Sequence, residues 1–172
     1  MAVAALSVGA LVLVGAAGAV RLSGASGEMV PGVVLRLVQP SFSQEVKNDP
    51  GTRFEQLETQ LAMSRRPALG PAPTHVIWAE TAVPYLIEPE GALAQALGGL
   101  VGPEGIVLVG AVSLDEAPGG AGEPDFYNSV LALGPEGQLL GRFDKAHLVP
   151  FGEYVPLRGI LPIERITPGI GD

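Results

Sequence analysis

No cysteine occurs among the 172 residues, which excludes disulfides, thiolate metal sites and thiol-based covalent catalysis by these residues alone. Histidine is nearly as scarce: His75 and His147 are the only two, too few for a histidine-rich metal centre. Basic charge is thin. Ten Lys and Arg stand against 18 Asp and Glu, for a net charge of −8. The basic residues form no patch that would neutralise phosphates, so nucleic acid is not an expected partner. Charged side chains make up only 16% of the chain against 47% apolar, a balance that excludes a disordered polypeptide. No internal repeat and no low-complexity tract is present. Glycine and proline, by contrast, are abundant at 24 and 16, which favours a loop-rich α/β protein over a helical bundle. The length suits one domain with a substantial core.

One segment lacks charge altogether. Met1 to Val20 has Ser7 as its only polar side chain, and Arg21 closes the run. About 20 helical residues span about 30 Å, the hydrocarbon thickness of a bilayer. Gly9, Gly15 and Gly18 are compatible with a membrane helix, where small residues permit close packing. A cleaved signal peptide would begin with a basic region, and Met1-Ala2-Val3 offers none. A buried soluble helix is seldom apolar on every face. The segment is therefore read as a membrane helix over residues 1–21, followed by a Ser/Gly-rich linker over 22–32.

Strand and helix signals then alternate. Val33 to Val38 is a β-branched run closed by Gln39-Pro40. Asp49-Pro50 reads as an N-cap with proline at the first helical position. Phe54, Leu57 and Leu61 recur at helical spacing, and Arg65-Arg66-Pro67 provides the stop. Val76 to Trp78 is a second strand. Leu93, Leu97 and Leu100 place one stripe on a helix from Ala92 to Leu100. Ile106 to Val112 is apolar on both faces, as expected inside a covered sheet. A loop from Pro118 to Pro124 leads to a strand at Tyr127 to Leu133, which Gly134-Pro135-Glu136-Gly137 turns into a hairpin with Gln138 to Phe143. The order β-α-β-α-β-β-β predicts an α/β protein with a mixed sheet and helices packed on it.

Three charged residues sit where chemistry is plausible. Glu80 follows the strand ending at Trp78, largely buried in this reading, and precedes Val83. A carboxylate there would be partly desolvated, which raises its pKa and suits a general base; taken alone, it reads rather as a solvated glutamate capping the next turn. Lys145 lies at the end of the hairpin, where a cation can stabilise a developing oxyanion; alone, it reads as a surface lysine beside Asp144. Glu153 alone reads as another surface acid. His147 is expected to be packed and hydrogen bonded rather than a ligand or base, Tyr127-Asn128-Ser129 to be structural, and Trp78 to be core.

The local sequences around these residues carry more than the residues do. Trp78-Ala79-Glu80-Thr81-Ala82-Val83-Pro84, Tyr127-Asn128-Ser129 and the run Asp144 to Leu157 together resemble the apolipoprotein N-acyltransferases, membrane enzymes of the nitrilase, or carbon–nitrogen hydrolase, superfamily. The most specific element is His-Leu-Val-Pro-Phe-Gly-Glu-Tyr-Val-Pro-Leu at 147–157, and Val38-Gln39-Pro40 resembles the end of that family's first strand. The resemblance runs from about Val33 to about Pro162. It implies that residues 33–172 are the N-terminal part of a four-layer αββα nitrilase-like sandwich, preceded by one transmembrane helix. It also implies a location at the bacterial inner membrane, with the domain on the periplasmic side.

The implied reaction moves an acyl chain from a phospholipid to a cysteine thiolate. The chain then passes from the thioester to the N-terminal amine of a diacylglyceryl lipoprotein. Phospholipid donor, lipoprotein acceptor and the membrane are the implied partners, and no cofactor or metal is implied. Glu80 matches the general base, Lys145 the oxyanion stabiliser and Glu153 a second essential glutamate. The family's nucleophilic cysteine lies beyond the stretch that ends at Asp172, and its other membrane helices are missing here. Asn48, following Lys47, stands where the family carries a tryptophan. The sequence thus reads as a fragment, inactive alone. Two alternatives stay open: a soluble-type carbon–nitrogen hydrolase acting on a small amide, and a non-catalytic, membrane-anchored remnant.

Overall fold

The computed structural model describes residues 2–115 and 124–147, and the chain divides into two compact units, Met1–Pro31 and Gly32–Asp172. In the first, α1 runs from Ala2 to Ser23 with Arg21 as its one charge and no buried residue. A helix of 22 residues is about 33 Å long, long and apolar enough to cross a membrane. Ser23 closes it by donating to the Val20 carbonyl at 2.8 Å.

In the second unit, six strands form one sheet: β1 (Leu35–Val38), β2 (His75–Trp78), β3 (Val83–Leu86), β4 (Ile106–Asp115), β5 (Asp125–Leu133) and β6 (Leu139–Asp144). The spatial order is β1-β2-β4-β5-β6, with β3 also paired to β4. β1, β2 and β4 are parallel, and β4, β5 and β6 are antiparallel. β2 pairs with the first half of β4 and β3 with its second half, at Ala111 and Val112. The chain from β2 to β3 therefore follows one edge of β4 and breaks step at residues 79–82. The mixed α/β sheet is the architecture expected from the sequence.

Helices α2 (Gln44–Asn48), α3 (Arg53–Ser64) and α4 (Ala92–Gly98) accompany the sheet. Asp49 and Pro50 do start a helical segment, but a 3-10 turn over Pro50–Thr52, capped by Asp49, comes first and α3 follows at Arg53. Leu57 and Leu61 of α3 and Ala94 and Leu97 of α4 are buried with Val76, Trp78, Val107, Val109, Leu131 and Leu133 in one core. Trp78 is core, as expected, and its indole N–H donates to the Ser64 hydroxyl of α3 at 2.9 Å. Arg36 donates to the Ser64 carbonyl beside it. The hairpin turn closes with Gly137 at φ +81°, a left-handed conformation that glycine adopts without penalty.

Burial corrects two expectations. Phe54 fits the helical spacing but is exposed: it stands in the first turn of α3, ahead of Gln56, where burial of the helix begins. β2 and β4 are apolar on both faces but covered on one: Val76, Val107 and Val109 are buried, while the alternate residues His75, Ile77, Ile106 and Leu108 are half-exposed.

Candidate active site

Glu80 sits in the break between β2 and β3, held on both sides. From β4, the Gly110 carbonyl accepts the Ala82 amide at 2.9 Å. From α3, the buried Gln60 side chain donates to the Ala82 carbonyl at 2.9 Å. The turn lies directly on Gly110. A β-carbon there would fall 2.7 Å from the Glu80 Cα and 2.7 Å from the Thr81 nitrogen, and would also strike the Ala79 carbonyl. Glycine is required for backbone to approach backbone this closely. Thr81 completes the turn in the left-handed region at φ +51°, uncommon for a β-branched residue.

Lys145, just past β6, reaches this turn from the far edge of the described sheet. Its ammonium donates to Glu80 Oε1 at 2.9 Å. The Asn128 side-chain amide, from β5, donates to the same oxygen at 2.6 Å. The Asn128 carbonyl accepts the Lys145 amide at 2.8 Å, tying the two donors together. Glu80 Oε2 accepts no hydrogen bond among the described residues. The arrangement can therefore fix a carboxylate through one oxygen while the other stays open to take a proton, with a cation beside it.

Two readings of the site are decided by burial. The general-base reading of Glu80 called for partial desolvation, yet its side chain is 61% exposed against 26% for Lys145, as the solvated reading has it, because the turn lifts it off the sheet on the face that the described helices do not cover. His147 was expected to be packed and is exposed. Glu153 and the 148–157 part of the motif lie outside the described residues, as does most of the loop expected from Pro118. Behind the Glu80 turn a small cavity of about 70 Å³ is lined by Ser41, Lys47, Gln56, Gln60 and Thr81.

Residues 56–165, more than half of the chain, match the carbon-nitrogen hydrolase family. This protein belongs to that family. Within it, the chain is 41% identical over 138 residues to an apolipoprotein N-acyltransferase of Allorhizobium ampelinum, covering 78% of this chain and 26% of the relative. An apolipoprotein N-acyltransferase of Bradyrhizobium diazoefficiens is 35% identical over 164 residues, 91% of this chain and 30% of the relative. The resemblance read from the motifs is borne out, and the chain spans between a quarter and a third of the length of these relatives. A crystal structure of an N-terminal amidase aligns with a TM-score of 0.44 at 16% identity, over 67% of this chain and 28% of that one.

Sequence reasoning assigned Tyr127-Asn128-Ser129 to structure, and in this member of the carbon-nitrogen hydrolase family that assignment leaves out the bond from Asn128 to Glu80. Strand alternation says only that Asn128 leaves Tyr127 and Ser129 on the other face of the sheet; its partner Glu80 lies 48 residues away. On that other face Ser129 donates to Asp144 Oδ1 at 2.5 Å, and Arg142 Nε donates to the same oxygen at 2.6 Å. Arg142 also reaches Asp115 Oδ1 at 2.6 Å, with its guanidinium 5.1 Å from the Tyr127 ring centre. The Arg142 guanidinium, seconded by the Ser129 hydroxyl, holds the Asp144 carboxyl below its usual range. Asp144 and then Asp115 push Arg142 further up.

Proposed function

We propose that this chain carries the base-and-cation half of an apolipoprotein N-acyltransferase site. The observation that carries the reading is the convergence of Glu80, Lys145 and Asn128 on a single carboxylate oxygen from three separate strand positions. Two features of the chain support it: the motif match to the named acyltransferases, and a helix long and apolar enough to lie in the membrane, where acyl-chain substrates reside.

In this reading a cysteine from a further segment of the domain gives its proton to Glu80 Oε2. The thiolate attacks the carbonyl carbon of a phospholipid acyl ester, and Lys145 stabilises the oxyanion. The ester C–O bond breaks, Glu80 returns the proton to the departing alkoxide, and a lysophospholipid leaves a thioester behind. The amine of a diacylglyceryl-cysteine lipoprotein then attacks the thioester. Glu80 removes a proton from the amine, an amide forms, and the thiol is regenerated. Glu153 would serve as a second glutamate orienting these groups. The site would face the extracytoplasmic side of the bacterial inner membrane. With no thiol of their own, the 172 residues would form no thioester by themselves.

The test grafts this chain's matched segment into the Allorhizobium ampelinum relative and follows transfer from a fluorescent phospholipid. The chimera should become acylated. Glu80→Gln should abolish acylation, and Lys145→Ala should slow it by about a hundredfold or more, as loss of an oxyanion donor does. Acylation of the Glu80→Gln chimera at the parent rate would sink the reading. A chimera that hydrolyses a small amide but takes no acyl chain from phospholipid would favour the amidase alternative.

A further inference from the structure

Lys145 has a long way to reach. It leaves the end of β6, crosses β5 and meets a turn lying on β4, two strand spacings or about 10 Å away. A side chain of four methylenes closes that distance only from a well-defined Cα position. Register matters even more: a slip of one residue moves every side chain of a strand to the other face, taking Lys145 away from Glu80. The hairpin turn cannot set this register by itself. Leu133 pairs with Leu139 while Ala132 pairs with Gly141, so one extra residue enters β6 between the turn and the site. The register at the open end needs its own determinant.

The last cross-strand pair before Lys145 is Ser129 with Asp144. These are the sequence neighbours of Asn128 and Lys145, and they point to the opposite face. There the Ser129 hydroxyl and Arg142 Nε meet on Asp144 Oδ1, and Arg142 is anchored in turn to Asp115 at the end of β4. We propose that Ser129, Asp144 and Arg142 form a pin on the far face of the sheet that fixes the β5–β6 register and so delivers Lys145 to Glu80. They are positioning residues, acting through Lys145. The inference rests on the reading of Lys145 as the oxyanion cation, and its test does not need catalysis.

The chain has only two lysines, Lys47 and Lys145, and Lys47 is exposed. Competitive acetylation of the whole chain in detergent, read peptide by peptide by mass spectrometry, therefore gives a Lys145-to-Lys47 reactivity ratio with an internal reference. Pairing with Glu80 should keep the ratio low, and Glu80→Gln should raise it. Asp144→Ala and Ser129→Ala should raise it about fivefold or more, the scale of one lost hydrogen bond. Asp144→Asn keeps an acceptor for both donors and should stay within about twofold of the parent. If Asp144→Ala loses its circular dichroism, Ser129→Ala and Asp144→Asn decide. A ratio unmoved by Ser129→Ala, or one as high in Asp144→Asn as in Ser129→Ala, overturns the pin while leaving the Glu80–Lys145 pair intact. A ratio unmoved by Glu80→Gln instead removes the pair, and the proposed function with it.

Discussion

On one face of the sheet Val76, Val107, Val109 and Leu133 lie under α3 and α4 with no exposure at all, whereas on the other face Leu37 and Phe143 are 72% and 70% exposed. Both faces are built from apolar residues. An antiparallel sheet with one wet face would alternate apolar with polar, and this one does not. The difference lies in what covers each face. Since Glu80, Asn128 and Lys145 all stand on the open face, the site shares it with an apolar surface that calls for a second layer. The four-layer αββα arrangement implied by the family would supply that layer.

The comparison breaks or holds most visibly through truncation on each face. Leu133→Ala should cost this chain about 2–5 kcal/mol, the range for deleting a buried leucine side chain. Leu37→Ala should change stability by about 0.5 kcal/mol or less, as exposed substitutions do. Chemical denaturation in detergent measures both. Equal losses would mean that the faces are not different. The sharper form repeats Leu37→Ala in the acyltransferase chimera, where a covering sheet should raise its cost toward that of Leu133.

A middle-sized effect separates the site from its scaffold on the same open face. Gly110→Ala forces the Glu80 turn off β4, since the added carbon meets backbone on three sides. A loss of about 1–3 kcal/mol is expected, the usual cost of overpacking. Gly141, two strands away, has nothing within 4 Å of an added β-carbon, so Gly141→Ala should be neutral or slightly stabilising. If the two substitutions behave alike, the turn is not seated on Gly110 and Glu80 is held by something else.

Much of this was legible in the sequence, and what was not has specific causes. The strand runs at Val33 to Val38, Val76 to Trp78, Ile106 to Val112 and Tyr127 to Leu133 stand close to where the apolar pattern places them. Local side-chain chemistry is enough to write such elements. β3 was missed because Pro84 interrupts its short run, and a proline that cannot donate to a ladder argues against a strand from sequence alone. α2 is a five-residue helix with no buried face, so no periodicity announces it. Asn128 was passed over because its role depends on a partner 48 residues away, a proximity that sheet topology creates and local pattern does not. The exposure of Glu80 follows from the described helices packing on one face only, which no strand sequence declares.

The smallest effect tests the covered face through pH. Asp144 titrates below its ordinary value of 3.8 in the folded chain, so the folded state favours its charged form. The stability it contributes is therefore fully present above about pH 4 and is lost as pH falls through the lower folded value. At more than a third exposed, its ion pair with Arg142 is screened, and the contribution should stay below about 1 kcal/mol. Asp144→Asn removes it. Thermal unfolding of parent and variant should show a small gap near neutral pH that closes as pH drops from about 4 toward 2. A gap that persists unchanged to pH 2 would mean that the charge contributes nothing and that the hydrogen bonds alone hold the strand end.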